Sequence, residues 1–183
     1  MVTNKNNSTA NDYAPDFELP GIDGQVHHLT RYLEKFKAIA IVFINDRSPY
    51  VNKYLERLNK IQAEFEAQSF MTIAINATDI DTTSEDILKL MKDFASQHNL
   101  NYPYLRDSNQ DVARCFGVTT IPEAFVIDKT GKICYGGAID DSPDTPESVN
   151  KAYLKDSIAA VLAGKEVEID RTKAVGSEIR WRK

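Results

Sequence analysis

Few residues in this chain have the chemistry to act as nucleophiles, redox centres or metal ligands. There are two cysteines, Cys115 and Cys134, and neither has a second sulfur at the short spacing of a redox pair or a metal cluster. Both read as small apolar residues of the interior, one on a short helix and one on a hairpin strand, away from any turn that would activate a thiol. Ser48 has no histidine or lysine beside it in sequence to serve as a base, so its expected role is the N-cap hydroxyl of the helix that follows. His27 and His28 are adjacent on a strand, where alternation sends them to opposite faces and away from a shared metal. Asp79, Asp81 and Glu85, and separately Asp140, Asp141 and Asp144, are acidic loop clusters without the glycine of a calcium loop, and read as solvated. No metal and no other cofactor is implied.

What remains is the turn Asn45-Asp46-Arg47-Ser48-Pro49-Tyr50. In an open α/β sheet, chemistry collects beyond the carboxyl ends of strands and at helix N-termini. Free amides and the helix dipole there lower a thiol's pKa, which is why Cys-x-x-Cys at such a turn is a redox device. Here the turn carries an amide, a carboxylate, a guanidinium and a hydroxyl, and no sulfur. The Arg47 guanidinium could hold an anionic group, helped by free amides, or could simply face solvent.

That turn needs a strand before it and a helix after it. Residues 38–44 form a continuous apolar run rich in branched side chains, as a strand buried on both faces requires. From Pro49, apolar residues at 51, 54, 55, 58, 61 and 65 recur at helical spacing, and proline suits the first turn. Residues 70–76 read as a second buried strand, and Thr83-Ser84-Glu85-Asp86 as a capping box for the next helix. Upstream, residues 16–19 and 25–29 suggest a hairpin around Gly21-Ile22-Asp23-Gly24. Downstream, Asp107 is placed to cap a short helix ended by Gly117. Residues 123–128 and 132–135 flank a glycine-containing turn, and 148–163 carries a final amphipathic helix. The order β-α-β-α, a loop with proline, then β-β-α, fits a thioredoxin-like α/β fold: a central mixed sheet, an N-terminal hairpin and flanking helices.

With 183 residues, the chain supports one core. The expected division is a flexible start at 1–13, the domain at 14–164 and a charged tail over the surface at 165–183. A net charge of −5 argues against a nucleic-acid partner. No apolar run suits membrane insertion and the start is polar, so the expected location is the cytoplasm.

The stretch from Phe17 to about Asp141 resembles the redoxin, or alkyl hydroperoxide reductase/thiol-specific antioxidant, family, in a branch whose turn reads Cys-Asn-His-Cys-Pro-Tyr-Val. Pro49-Tyr50-Val51 matches the end of that motif, so the resemblance places the two family cysteines on Asn45 and Ser48. Further matches are Pro103-Tyr104-Leu105 with Asp107, Gln110-Asp111-Val112-Ala113, Asp128-Lys129-Thr130-Gly131-Lys132, and Gly137-Ala138-Ile139-Asp140-Asp141. The resemblance also implies that Pro122 is the fold's cis proline. It further aligns Thr120 and Ser177, in Val175-Gly176-Ser177, with other cysteines of that branch.

Two functional readings follow. In the first, the chain has lost the thiols and binds a protein or peptide partner. Its recognition groove is formed by Asp46, Arg47, Ser48, Pro49 and Tyr50 facing Thr120, Ile121 and Pro122, whose backbone suits strand addition. In the second, it remains a thiol oxidoreductase or antioxidant enzyme and uses Cys115 or Cys134. Asn and Ser cannot form the mixed disulfide on which thiol exchange depends, so the second reading needs a thiol from elsewhere.

Overall fold

The computed structural model describes residues 13–80 and 82–183. The expected flexible start, apart from Tyr13, and Asp81 of the first acidic cluster lie outside the described residues. Strands β1 (Glu18–Pro20) and β2 (Val26–His28) form the antiparallel hairpin around its glycine turn. A helix that periodicity did not reveal follows at once, α1 (Leu29–Lys35). It is too short to show a repeating apolar face, and packing of Leu29, Tyr32 and Leu33 onto the core holds it.

Strand β3 (Ala38–Phe43) is buried along its whole length, as its unbroken apolar run requires. Helix α2 (Pro49–Phe65) starts on proline, and β4 (Phe70–Asn76) returns parallel to β3. Helix α3 (Ser84–Gln97) is capped by Thr83, whose hydroxyl oxygen accepts from the Asp86 amide. Then come β5 (Tyr104–Arg106), α4 (Asp111–Phe116), the two-residue β6 (Thr120–Ile121), β7 (Glu123–Asp128), β8 (Ile133–Gly137), α5 (Tyr153–Leu162) and β9 (Ser177–Glu178). The main sheet runs β5-β4-β3-β7-β8, with β3, β4 and β5 parallel and β7 and β8 antiparallel. This is the thioredoxin-like α/β arrangement the element order implied. No helix among the described residues is long and apolar enough to cross a membrane.

Three boundaries differ from the sequence reading. Helix α5 begins at Tyr153 rather than near 148, because residues 149–152 serve the Asp141 loop: the Asn150 amide donates to the Asp141 carboxylate at 2.9 Å. Asp107 caps α4 as expected, but from three residues before the N-cap position: Gln110 occupies that position in a left-handed conformation, and the Asp107 carboxylate accepts from the first-turn Ala113 amide at 2.9 Å. Residues 165–183, expected to lie over the surface, are clasped by the domain. The Thr172 amide donates to the Gly136 carbonyl at 3.1 Å, and β9 then pairs antiparallel with β6.

Candidate functional site

The turn after β3 is organised by Asn45. Its side chain is buried, and its Oδ1 accepts from the amides of Arg47 (3.1 Å) and Ser48 (2.8 Å). These amides lie before the first turn of α2, so Asn45 closes an Asx turn that sets the entry into the helix, while Ser48 holds the N-cap position without the side-chain capping bond expected of its hydroxyl. Its Nδ2 donates to Thr78 Oγ1 at 2.8 Å, tying the turn to the end of β4. Behind it, Arg106 is buried and donates through Nη1 to the Thr78 carbonyl (2.9 Å) and to Asn76 Oδ1 (3.1 Å). Burial holds this guanidinium below its ordinary pKa and pushes the neighbouring Asp107 carboxyl up.

Instead of capping, the Ser48 hydroxyl points across the site. It donates to the Ile121 carbonyl at 3.2 Å and lies 2.9 Å from Ser177 Oγ. The Ile121–Pro122 peptide, at the end of β6, is cis. The turn, the proline strand and the C-terminal segment therefore meet at two hydroxyls. Gly176 permits that approach, because a Cβ there would fall inside the contact radius of the Ile121 carbonyl oxygen. Beyond Ser177 the C-terminal segment is gripped mainly through its backbone. The Ile179 amide donates to the Thr119 carbonyl (3.1 Å), and Gln110 Nε2 donates to the Arg180 carbonyl (2.8 Å). Gln110 Oε1 also accepts from the Arg182 amide at 2.7 Å.

The expected groove is consequently only half open. Asp46, Arg47 and Pro49 are exposed, and Tyr50 is half-buried with Lys53 above its ring. Ser48, Ile121 and Pro122 are buried, and the backbone edge of Thr120 and Ile121, read as free for strand addition, is already paired with β9. Sequence reasoning missed this because Ser48 and Ser177 are 129 residues apart. The only signal was the alignment of Val175-Gly176-Ser177 with a family motif.

The reading of both cysteines as interior residues is corrected. Cys115 is exposed on α4, whose short apolar face is supplied by Val112, Ala113 and Phe116, and Cys134 is half-buried on β8. Burial and the Asp128 carboxylate push the Cys134 thiol up, away from the reactive thiolate. Among the described residues, no hydrogen bond or ring contact joins either sulfur to residues 45–50. The acidic residues near 140 are structural as well. Asp140 is buried, accepts from Arg57 Nη1 at 2.8 Å and from the Tyr54 hydroxyl at 3.1 Å, while Asp144 pairs with Lys53. His27 bridges Asp23 and the Tyr32 hydroxyl, and His28 pairs with Glu18. No group of three or more His, Cys, Asp or Glu able to hold a metal occurs among the described residues.

Comparison with known proteins agrees with this architecture. The family model described as "AhpC/TSA family" matches residues 10–135. The thiol-disulfide oxidoreductase ResA of Geobacillus thermodenitrificans is 28% identical over 133 residues, 73% of this chain and 71% of that protein. Among solved structures, a hypothetical protein of Sinorhizobium meliloti superposes with a TM-score of 0.84 at 30% identity, over 93% of both chains. An uncharacterized conserved protein from Geobacillus kaustophilus matches with a TM-score of 0.84 at 28% identity, covering 93% of this chain and 90% of that one.

Proposed function

The chain belongs to the AhpC/TSA family, and from that premise we propose that it keeps the family scaffold as a protein- or peptide-binding module without thiol redox turnover at the α2 turn. One observation carries this reading: where a redoxin turn would present sulfur, Ser48 instead directs its hydroxyl to Ile121 and Ser177, and Asn45 uses its side chain to close the turn and to bind Thr78. Both groups are fully engaged in holding the site together, and neither can accept an electron pair from a thiol. The open part of the turn, with Arg47 and Tyr50, supplies a cation and an aromatic ring, the residue types that anchor protein interfaces.

The test is capture of a partner on the immobilised chain beside Arg47→Glu and Tyr50→Ala variants. A partner held by the native chain and released by either variant supports the reading, and partners held equally by all three contradict it. A second reading has one observation behind it. Relatives of this chain are named thiol-disulfide oxidoreductases, and Cys115 is exposed to solvent, so this thiol is the one through which such activity would run.

A further inference from the structure

Resting on the reading of this region as a binding surface, we propose that the C-terminal segment, residues 174–182, is the resident ligand of the β6 edge. The partner this edge takes is then an extended protein segment that displaces it in the same register. The geometry is that of strand addition: Thr120 pairs with Glu178 and Ile121 with Ser177, antiparallel, and the ladder continues from the Ile179 amide to the Thr119 carbonyl. Gln110, itself buried, reads the segment as it would any peptide, donating to one backbone carbonyl and accepting from one backbone amide. The Asp79 amide donates to the same Arg180 carbonyl at 3.1 Å.

To these backbone bonds the side chains add the Ile179 anchor, the Trp181–Arg114 stack and an Arg182–Asp79 ion pair at 3.6 Å. Within the segment only Ala174 and Ile179 are buried, while Val175, Glu178, Arg180 and Arg182 are exposed. A segment held mainly through its backbone, on a two-stranded ladder separate from the main sheet, can be exchanged without unpairing that sheet. Its sequence also states what a replacement must offer. Glycine is required against the Ile121 carbonyl, a hydroxyl-sized residue over Ser48, and an aliphatic side chain in the Ile179 site. An aromatic ring two residues further on would stack under Arg114, as Trp181 does with its ring centroid 4.4 Å from the guanidinium carbon.

The experiment measures binding of a fluorescently labelled synthetic peptide, residues 172–183 of this sequence, to the full-length chain and to a full-length Gly176→Val variant. Valine at 176 collides with backbone, so the variant's own segment cannot seat. In the native chain the tethered segment competes at an effective concentration of order millimolar. The variant should therefore bind the peptide at least about tenfold more tightly than the native chain, and a peptide carrying the same valine should bind neither. Limited trypsin digestion, with circular dichroism to verify the fold, reports whether the variant's segment has been released. Should Gly176→Val fail to fold, full-length Ile179→Ala, which removes the buried anchor, replaces it under the same expectation. Equal peptide binding to native and variant chains, or no binding to a folded variant whose segment trypsin removes, overturns the proposal. Those results leave the Arg47 capture experiment standing, whereas capture insensitive to Arg47 and Tyr50 alongside variant-dependent peptide binding sinks the earlier reading alone.

Discussion

Replacing Asn45 with alanine asks whether one side chain holds the α2 turn together. The substitution deletes the acceptor shared by the Arg47 and Ser48 amides and the donor to Thr78. The Ser48 amide bond is buried, and leaving such a donor unpaired costs about 1–3 kcal/mol. Water can reach the half-buried Arg47 amide and the Thr78 hydroxyl can rotate, so neither adds much. The expected total is about 1–3 kcal/mol, which for a chain of this length corresponds to a fall in Tm of about 2–12 °C. Asn45→Asp keeps both acceptor bonds and places a negative charge at a helix N-terminus, so it should stay within about 1 kcal/mol of the native chain. Urea titration followed by far-ultraviolet circular dichroism, with thermal melts alongside, measures both variants. An alanine variant as stable as the native chain, or an aspartate variant as damaged as the alanine one, refutes this account of the turn.

Burial raises the Asp107 carboxyl, so the folded chain holds that proton more tightly than the unfolded one. Stability conferred at this site is lost as pH rises from the ordinary carboxylate pKa through the folded value. Asp107→Asn should therefore be no less stable than the native chain at neutral pH, with any advantage shrinking as pH falls toward about 4, as urea midpoints across that range will record. Alkylation at neutral pH should modify exposed Cys115 quickly and Cys134 much more slowly until denaturant is added, and peptide mass mapping separates the two. The double variant Ser48→Cys/Ser177→Cys should close a disulfide under mild oxidation, since the two hydroxyl oxygens already lie 2.9 Å apart. Because Cys115 and Cys134 stay free in either case, four free thiols by mass in that oxidised double variant, rather than two, would contradict the placement of the C-terminal segment.

How much of this was legible beforehand depends on the range of the interactions involved. The apolar run of β3, proline at the first position of α2 and the Thr83 cap of α3 are local patterns, and each reads directly from neighbouring residues. The late start of α5 is set by Asp141, and the turn before α2 is fixed by Asn45, whose other partner, Thr78, lies just beyond the neighbouring strand. Neither cause is visible within a helical window. The site was half legible: the turn's composition and the place of Pro122 pointed to the right region, but its closure by β9 depends on a contact between chain segments 129 residues apart. Cys115 was misjudged because residue type alone favours burial, whereas α4 fills its short inner face with Val112, Ala113 and Phe116.

The most direct test of a scaffold without thiol turnover is to compare the native full-length chain with a Cys115→Ser/Cys134→Ser variant. Both would be assayed for dithiothreitol-driven insulin reduction and for hydroperoxide consumption. The account predicts the same rate for both chains, indistinguishable from the buffer background. A rate above background in the native chain that disappears in the double variant would contradict it and assign the chain to thiol redox catalysis.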